Sequence, residues 1–241
     1  DGDLLNEGAI VATTVVQTPD VIFANSASIY KGSGTLNDVD VSVASSDLTL
    51  ETDMRPRSMT IATTGTFDLA TYILSVNRNL SKTAGTFTAI NGELEFIDAC
   101  GGCLDQSNTK DVSINANQVF GNVLVNKSNG VKASLISAFN YTLNTPKTLT
   151  IQNGILDANT FTLNGTGNLT MTGGELQLAK CATVLPELTG TYSLPNGKIR
   201  FDGVCTQTVK QTSVVGTDYY YKVHFDGSGI KSLNGNTNVG D

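Results

Sequence analysis

The chain has one histidine, His224, and it lies among residue types that could bind a sugar, in the segment Asp218-Tyr-Tyr-Tyr-Lys-Val-His-Phe225. Strand alternation would divide these side chains into an inner set, Tyr219, Tyr221, Val223 and Phe225, and an outer set, Tyr220, Lys222 and His224. Two interpretations remain open. The segment is either a strand with a solvated outer face, or a platform on which Tyr220 stacks against a sugar while Lys222 and His224 hydrogen-bond to it. No nucleophile motif accompanies the histidine, so we predict no catalytic residues.

The four cysteines are the next candidates for chemistry, and two of them form the motif Cys100-Gly-Gly-Cys103. A C-x-x-C motif suits a redox site, half of a zinc site or a local disulfide. The other two, Cys181 and Cys205, are 24 residues apart (205 − 181 = 24) and so do not complete a zinc motif. We therefore predict two structural disulfides, Cys100–Cys103 and Cys181–Cys205.

Carboxylate pairs occur at Asp38/Asp40 and Asp98/Asp105, at spacings that any Asp-containing turn produces. No loop resembles a calcium-binding repeat, and the Gly-Ser-Gly triplets at 32–34 and 227–229 lack the rest of a phosphate-binding loop. We therefore predict no metal and no cofactor.

The composition limits the partners. The 241 residues carry a net charge of −7, and their Lys and Arg residues are scattered, so we expect no nucleic-acid partner. No apolar run approaches the roughly 18 residues of a membrane span, so we expect no membrane insertion. With 24 Gly, no Trp and only 15% charged residues, the composition favours short strands and tight turns.

A sequence repeat indicates the fold that would position the candidate residues. Residues 148–178 contain the same apolar pattern twice: Leu149 and Leu156 return as Leu169 and Leu176, each 20 positions later (169 − 149 = 20, 176 − 156 = 20). Strands of three to five residues with immediate turns predict an all-β, right-handed parallel β-helix (β-solenoid) with coils of about 20–22 residues. About eleven coils would form a rod of about 50 Å, with Asn side chains in ladders at the corners. The alternative is a tandem of Ig-like β-sandwich domains.

A longer repeat overlies the short one. Asp68–Leu80 matches Asp157–Leu169 at an offset of 89 (157 − 68 = 89), and Asn91–Phe96 matches Asn196–Phe201 at 105 (196 − 91 = 105). The difference places an inserted loop at about 180–195, which Cys181–Cys205 would tie to the body. We predict one continuous solenoid over 1–241, with larger repeats at approximately 56–145 and 146–241 and with 1–55 as the tail of a preceding repeat.

Three phrases resemble the repeat regions of very large secreted surface proteins of Bacteroidota: residues 156–165 (LDANTFTLNG), 173–176 (GGEL) and 223–231 (VHFDGSGIK). The resemblance implies a secreted, extracellular or cell-surface location, and the role of an adhesin, filament or stalk.

The leading functional hypothesis is a non-catalytic structural or adhesive segment of a surface fibre or large adhesin. Its partners would be like subunits end to end, or neighbouring segments of the same long chain, and surface glycans. The second hypothesis is a carbohydrate-binding or carbohydrate-active β-helix. The third is ice or mineral binding by a flat Thr face, for which Thr160/Thr162 and Thr170/Thr172 supply a short rank.

The cysteine pairing is the first testable prediction. Mass analysis of peptides, with and without reduction, should find Cys100 linked to Cys103 and Cys181 linked to Cys205. Free thiols, or a linkage between Cys100 and Cys205, would contradict it.

Overall fold

A computed structural model describes residues 4–5, 21–24, 27–32, 36, 39–44, 47–62, 64–98, 109–137, 140–181, 184–211, 220–235 and 239. These residues form strands and turns and contain no helix. The strands are β1 (Leu4–Leu5), β2 (Val21–Phe23), β3 (Ser28–Lys31), β4 (Asp40–Val43), β5 (Leu48–Leu50), β6 (Ser58–Ile61), β7 (Thr66–Asp68), β8 (Ile73–Val76), β9 (Leu80–Lys82), β10 (Thr86–Ile97), β11 (Thr109–Ile114), β12 (Gln118–Asn126), β13 (Lys132–Leu135), β14 (Asn140–Leu143), β15 (Thr148–Asn153), β16 (Ile155–Asp157), β17 (Thr162–Gly165), β18 (Asn168–Met171), β19 (Glu175–Leu178), β20 (Val184–Leu185), β21 (Glu187–Leu188), β22 (Tyr192–Ser193), β23 (Lys198–Phe201), β24 (Gln207–Val209), β25 (Lys222–Phe225) and β26 (Lys231–Leu233).

The strands stack in parallel as a right-handed β-solenoid, which confirms the predicted fold and makes the β-sandwich alternative wrong. One sheet has ten strands in the order β2-β4-β6-β9-β11-β13-β16-β19-β23-β25. A second has thirteen strands along the path β1-β3-β5-β7-β10-β12-β14-β17-β21, with β8, β15, β18 and β22 beside it, and a third contains β20-β24-β26. Ten strands about 4.8 Å apart make a column of about 43 Å.

The short repeat corresponds to one lap of the solenoid. Leu149 pairs with Leu169 and Leu156 with Leu176, so residues 20 positions apart lie directly over one another. Within the ten-stranded sheet the lap length ranges from 18 residues (59 − 41 = 18) to 32 (112 − 80 = 32), a wider range than the predicted 20–22. The longest lap contains residues 99–108, which lie outside the described part of the chain.

The core is a set of apolar columns running along the axis. In β18 the inward side chains Leu169 and Met171 are buried, while Asn168 and Thr170, which alternate with them, are partly exposed. The rings of Phe67 and Phe87 also occupy one column, with centroids 5.5 Å apart and planes 6° from parallel. Each lap therefore covers the apolar side chains of the lap before it, and burying one such side chain contributes about 1.5–3 kcal/mol.

Asn and Asp side chains connect the laps at the corners, where the strand ladder is interrupted. In each case a side-chain oxygen accepts a hydrogen bond from the backbone N–H of a residue one lap later. The pairs are Asp47–Thr66, Asp53–Ile73, Asn79–Asp111, Asp98–Ser128, Asn117–Asn140, Asn122–Thr148 and Asn168–Thr191. The sequence predicted ladders between side chains. The structure instead has side-chain-to-backbone bonds, which satisfy donors that the ladder leaves unpaired.

The two segments that are 89 residues apart have the same local structure but lie on different faces of the solenoid. Ala70 and Asn159 both have a positive φ, 49° and 50°, and each donates its N–H to the Asp two residues earlier. Asp68, however, ends β7 in the thirteen-stranded sheet, whereas Asp157 ends β16 in the ten-stranded sheet. The offset is therefore not a whole number of laps, and the repeat boundaries at 56–145 and 146–241 stay a prediction.

The inserted residues belong to the wall of the solenoid. The described residues among 180–195 include β20, β21 and β22, which pair in parallel with β24, β17 and β18. Leu185, Leu188 and Leu194 are buried. These residues therefore complete a lap, and are not a loop standing away from the body, because they carry apolar side chains at core spacing.

A core substitution should separate stacking from surface effects. Leu169→Ala should lower the free energy of unfolding by about 2–5 kcal/mol, because it leaves a cavity between laps. Thr170→Ala, at the neighbouring outward position, should change it by less than about 1 kcal/mol. Denaturant unfolding followed by circular dichroism measures both, and similar losses would contradict the inward position of Leu169.

Candidate functional site

The predicted sugar platform is brought together only in part. Lys222 and His224 are exposed, but Tyr220 is fully buried and its hydroxyl donates to the Lys210 carbonyl at 3.0 Å. The prediction that Tyr220 faces outward is therefore wrong, and burial raises the pKa of its hydroxyl. The reason is that β25 begins at Lys222, so strand alternation does not extend back to Tyr220, which forms an isolated bridge with Val239.

The inner face predicted for this segment also differs from the structure. Phe225, expected inside, is 47% exposed, although its ring still lies against Phe201 with centroids 5.8 Å apart. Tyr219 lies outside the described residues. The aromatic content of this segment thus serves packing against the preceding lap more than an outward platform.

Lys222 and His224 belong to a larger polar surface, which we call the charged face. It consists of two outward columns of the ten-stranded sheet, from β13 to β25. The first column is Lys132, Ile155, Glu175, Lys198 and Lys222, and the second is Ser134, Asp157, Gln177, Arg200 and His224. The columns could not be read from the sequence, because their members are 20 to 24 residues apart and fall together only when the lap lengths are known.

Glu175 is at the centre of the charged face. One of its carboxylate oxygens lies 2.5 Å from Lys198 Nζ, and the other accepts a hydrogen bond from Gln177 at 2.7 Å and lies 3.8 Å from Arg200. Burial by itself would raise the pKa of Glu175, but these hydrogen bonds and positive charges outweigh it and lower the pKa. Glu175 is therefore a structural anion, and it is poorly suited to donate a proton.

The remaining charges of the face are mostly paired with one another. Lys132 Nζ donates to Gln177 at 2.8 Å and to Asp157 at 3.2 Å, and Arg200 pairs with Asp226. Burial and the negative charge of Asp157 raise the pKa of Asp202, which is 3.9 Å from Arg200. Most of the charge on this surface is thus neutralised locally.

A groove borders the charged face along one corner of the solenoid, and we call it the corner groove. It encloses about 480 Å³. It is lined by residues of five successive laps, four of which contribute a turn and the fifth only Lys222 of β25: Asn129, Gly130, Asn153, Gly154, Ile155, Gly173, Gly174, Glu175, Asn196, Gly197, Lys198 and Lys222. Because these residues come from stacked laps, the groove runs along the axis of the solenoid.

Glycine is required at this corner by the backbone. Gly154 and Gly174 have φ of 73° and 65°, in the left-handed region. A Cβ on Gly154 would lie 2.4 Å from the Cβ of Lys127, and a Cβ on Gly174 would lie 2.7 Å from the Gly154 carbonyl oxygen. The absence of these side chains leaves the floor of the groove open.

Lys127 supports this corner from inside. Its side chain is completely buried, and its ammonium donates to the carbonyls of Asn77 and Ile97 at 2.7 and 2.9 Å and to Asp98 at 3.2 Å. Burial lowers the pKa of Lys127 to about 8, against the opposing effect of Asp98. One cation thereby joins the corners of three successive laps.

The disulfide between Cys181 and Cys205 is confirmed. Their Cα atoms are 5.6 Å apart, and the bond joins positions one lap apart, after β19 and β23. The predicted pair Cys100 and Cys103 lies outside the described residues, as do Asp38 and Asp105. Among the described residues no group of three or more His, Cys, Asp or Glu side chains could hold a metal ion.

The Thr residues proposed for ice binding do not form one rank. Thr162 pairs with Asn140, whereas Thr170 pairs with Thr150 and Ser193 in another column.

In the part of the chain that the structure describes, no helix is long and apolar enough to cross a membrane. A comparison with known proteins found no family model, no curated protein and no solved structure that matches the chain.

The buried lysine predicts a specific pH dependence. The pKa of Lys127 is lowered in the folded state from 10.5 to about 8, so between these pH values the unfolded chain holds a proton that the folded chain has released. The free energy of unfolding should therefore rise with pH across this window, by up to about 3 kcal/mol. In Lys127→Met this rise should be absent. Chemical unfolding of both proteins from pH 7 to 10.5 measures the difference; parallel curves would contradict it.

Proposed function

We propose that this chain is a non-catalytic structural or adhesive segment of an extracellular surface fibre or large adhesin. The observation that carries the proposal is the unbroken ten-stranded parallel column. Each lap is bonded to the next through its backbone, its core columns and its corner Asn and Asp side chains. Such an arrangement gives length and stiffness from short-range contacts alone, as in other repeat architectures.

The extracellular location is supported by the disulfide and by the resemblance. Structural disulfides form and persist in oxidising environments and are rare in the cytosol. The Cys181–Cys205 bond joins two adjacent laps near one end of the described stack, where it would resist fraying. The likeness of residues 156–165 and 223–231 to repeats of secreted surface proteins of Bacteroidota agrees with this location.

Longitudinal contacts with further solenoid layers are part of the proposal. Within the described residues, β25 and β26 each pair with a strand on one side only. Phe225, Ile230 and Leu233 in this layer are 47%, 71% and 57% exposed. A strand edge with apolar side chains is a template for another strand. A like subunit end to end, or a neighbouring segment of the same long chain, would supply that strand.

Carbohydrate binding is the second candidate function, and the corner groove favours it. The groove is elongated and open, as a site for a chain of sugars requires, and Asn, Glu and Lys side chains are among its lining residues. Hydrolysis is less well supported: Glu175 is ion-paired with a lowered pKa, and Asp202, whose pKa is raised, does not line the groove.

Surface labelling tests the leading proposal. Antibodies raised against the folded chain should label intact cells of the source organism without permeabilisation. Electron microscopy of the purified chain should show rods about 43 Å long or longer end-to-end assemblies. Labelling that requires permeabilised cells, with a cytosolic protein as the reference, would contradict the extracellular location, and compact globules would contradict the rod.

A further inference from the structure

We infer that the corner groove binds a linear acidic glycan, a chain of sugars that carries carboxylates, with its long axis parallel to the solenoid. The inference deepens the adhesive role proposed above and rests on it. It names the surface that makes contact and the chemical class of the ligand.

The first support is a pair of Asn side chains in the groove that are available to a ligand. At seven other corner positions the Asn or Asp side chain accepts a hydrogen bond from the next lap, as Asn168 does from Thr191 at 3.0 Å. Asn129 and Asn153 also occupy corners and are exposed, but their side-chain amides make no hydrogen bond with any described residue. These amides are therefore not used to hold the laps together, and both line the groove.

The chemistry of these amides suits a sugar. Each offers donors and an acceptor on one planar group, and a sugar hydroxyl both donates and accepts. The glycines leave room in the groove for a polyol, and the two exposed amides beside them would hydrogen-bond to its hydroxyls.

The second support is charge. The ammonium of Lys198 in the groove is neutralised by Glu175 at 2.5 Å. Lys222, at the end of the groove, is exposed and forms no ion pair with a described residue; its Nζ lies 5.3 Å from the centroid of the Tyr221 ring. On a protein with a net charge of −7, this cation is a local site for a carboxylate, and it selects an acidic glycan over a neutral one.

The third support is length. The groove crosses five successive laps, and laps about 4.8 Å apart give it an extent of about 19 Å. A sugar residue in an extended chain is about as long as one lap spacing, so equivalent hydroxyls would meet equivalent turns. A ligand of about five sugars would fill the groove.

Calorimetric titration of the full chain tests the inference, with oligogalacturonides of increasing length as the acidic probe and cello-oligosaccharides as the neutral one. Affinity for the acidic series should rise with length and level off at about five sugars. The double variant Asn153→Ala/Lys222→Gln should bind about tenfold more weakly or worse. The matched control, Asn144→Ala/Lys147→Gln, alters the same residue types at another corner and should bind within about twofold of the wild type.

Three results would overturn the inference: no binding of either series, equal loss in the groove variant and the control, or equal affinity for neutral and acidic sugars. Thermal unfolding of both variants checks that the solenoid is intact, since the substituted side chains are on the surface. Absence of glycan binding together with surface labelling of intact cells would leave the fibre role standing. Glycan binding by a protein found only inside cells would support the ligand of the groove and contradict the extracellular fibre role.

Discussion

The parallel register between one lap and the next is the constraint on which the rest of the structure depends. Because successive strands run in the same direction, each inward side chain lies on the inward side chain of the preceding lap, as Leu149 does with Leu169. The backbone hydrogen bonds, the apolar columns and the outward polar columns all follow from this one alignment. A shift of one residue would turn the apolar set outward, so the alternating pattern of each strand holds the register.

At the corners the strand ladder is interrupted, and three features of the sequence allow the laps to stack there. Asn and Asp side chains bond to backbone donors of the next lap, and glycines allow the backbone to approach within distances that a Cβ would forbid. Lys127 adds a third device, a buried cation shared by three laps. The corner groove is a consequence of the second device, because its glycines leave the floor of the groove open.

Most charged side chains of the charged face are paired with a neighbouring side chain of opposite charge. On the charged face, Lys132, Lys198 and Arg200 are each close to a carboxylate, and Glu175 interacts with two cations at once. Such pairs between half-exposed groups contribute little to stability, but they place a carboxylate beside each of these three cations. Lys222 is the exception at the end of this surface, so the charge available to a ligand is concentrated beside the groove.

The features that repeat from one lap to the next could be predicted from the sequence. The 20-residue echo predicted the solenoid and the stacking of Leu156 on Leu176, and the 24-residue spacing agreed with the Cys181–Cys205 bond. The features that depend on the sum of several laps required the three-dimensional structure. Lap length varies from 18 to 32 residues, so the face reached after 89 residues, the columns of the charged face and the five laps that line the groove could not be identified from the sequence. The burial of Tyr220 was likewise decided by where β25 begins, which depends on pairing with a strand one lap earlier and not on the alternation of its own segment.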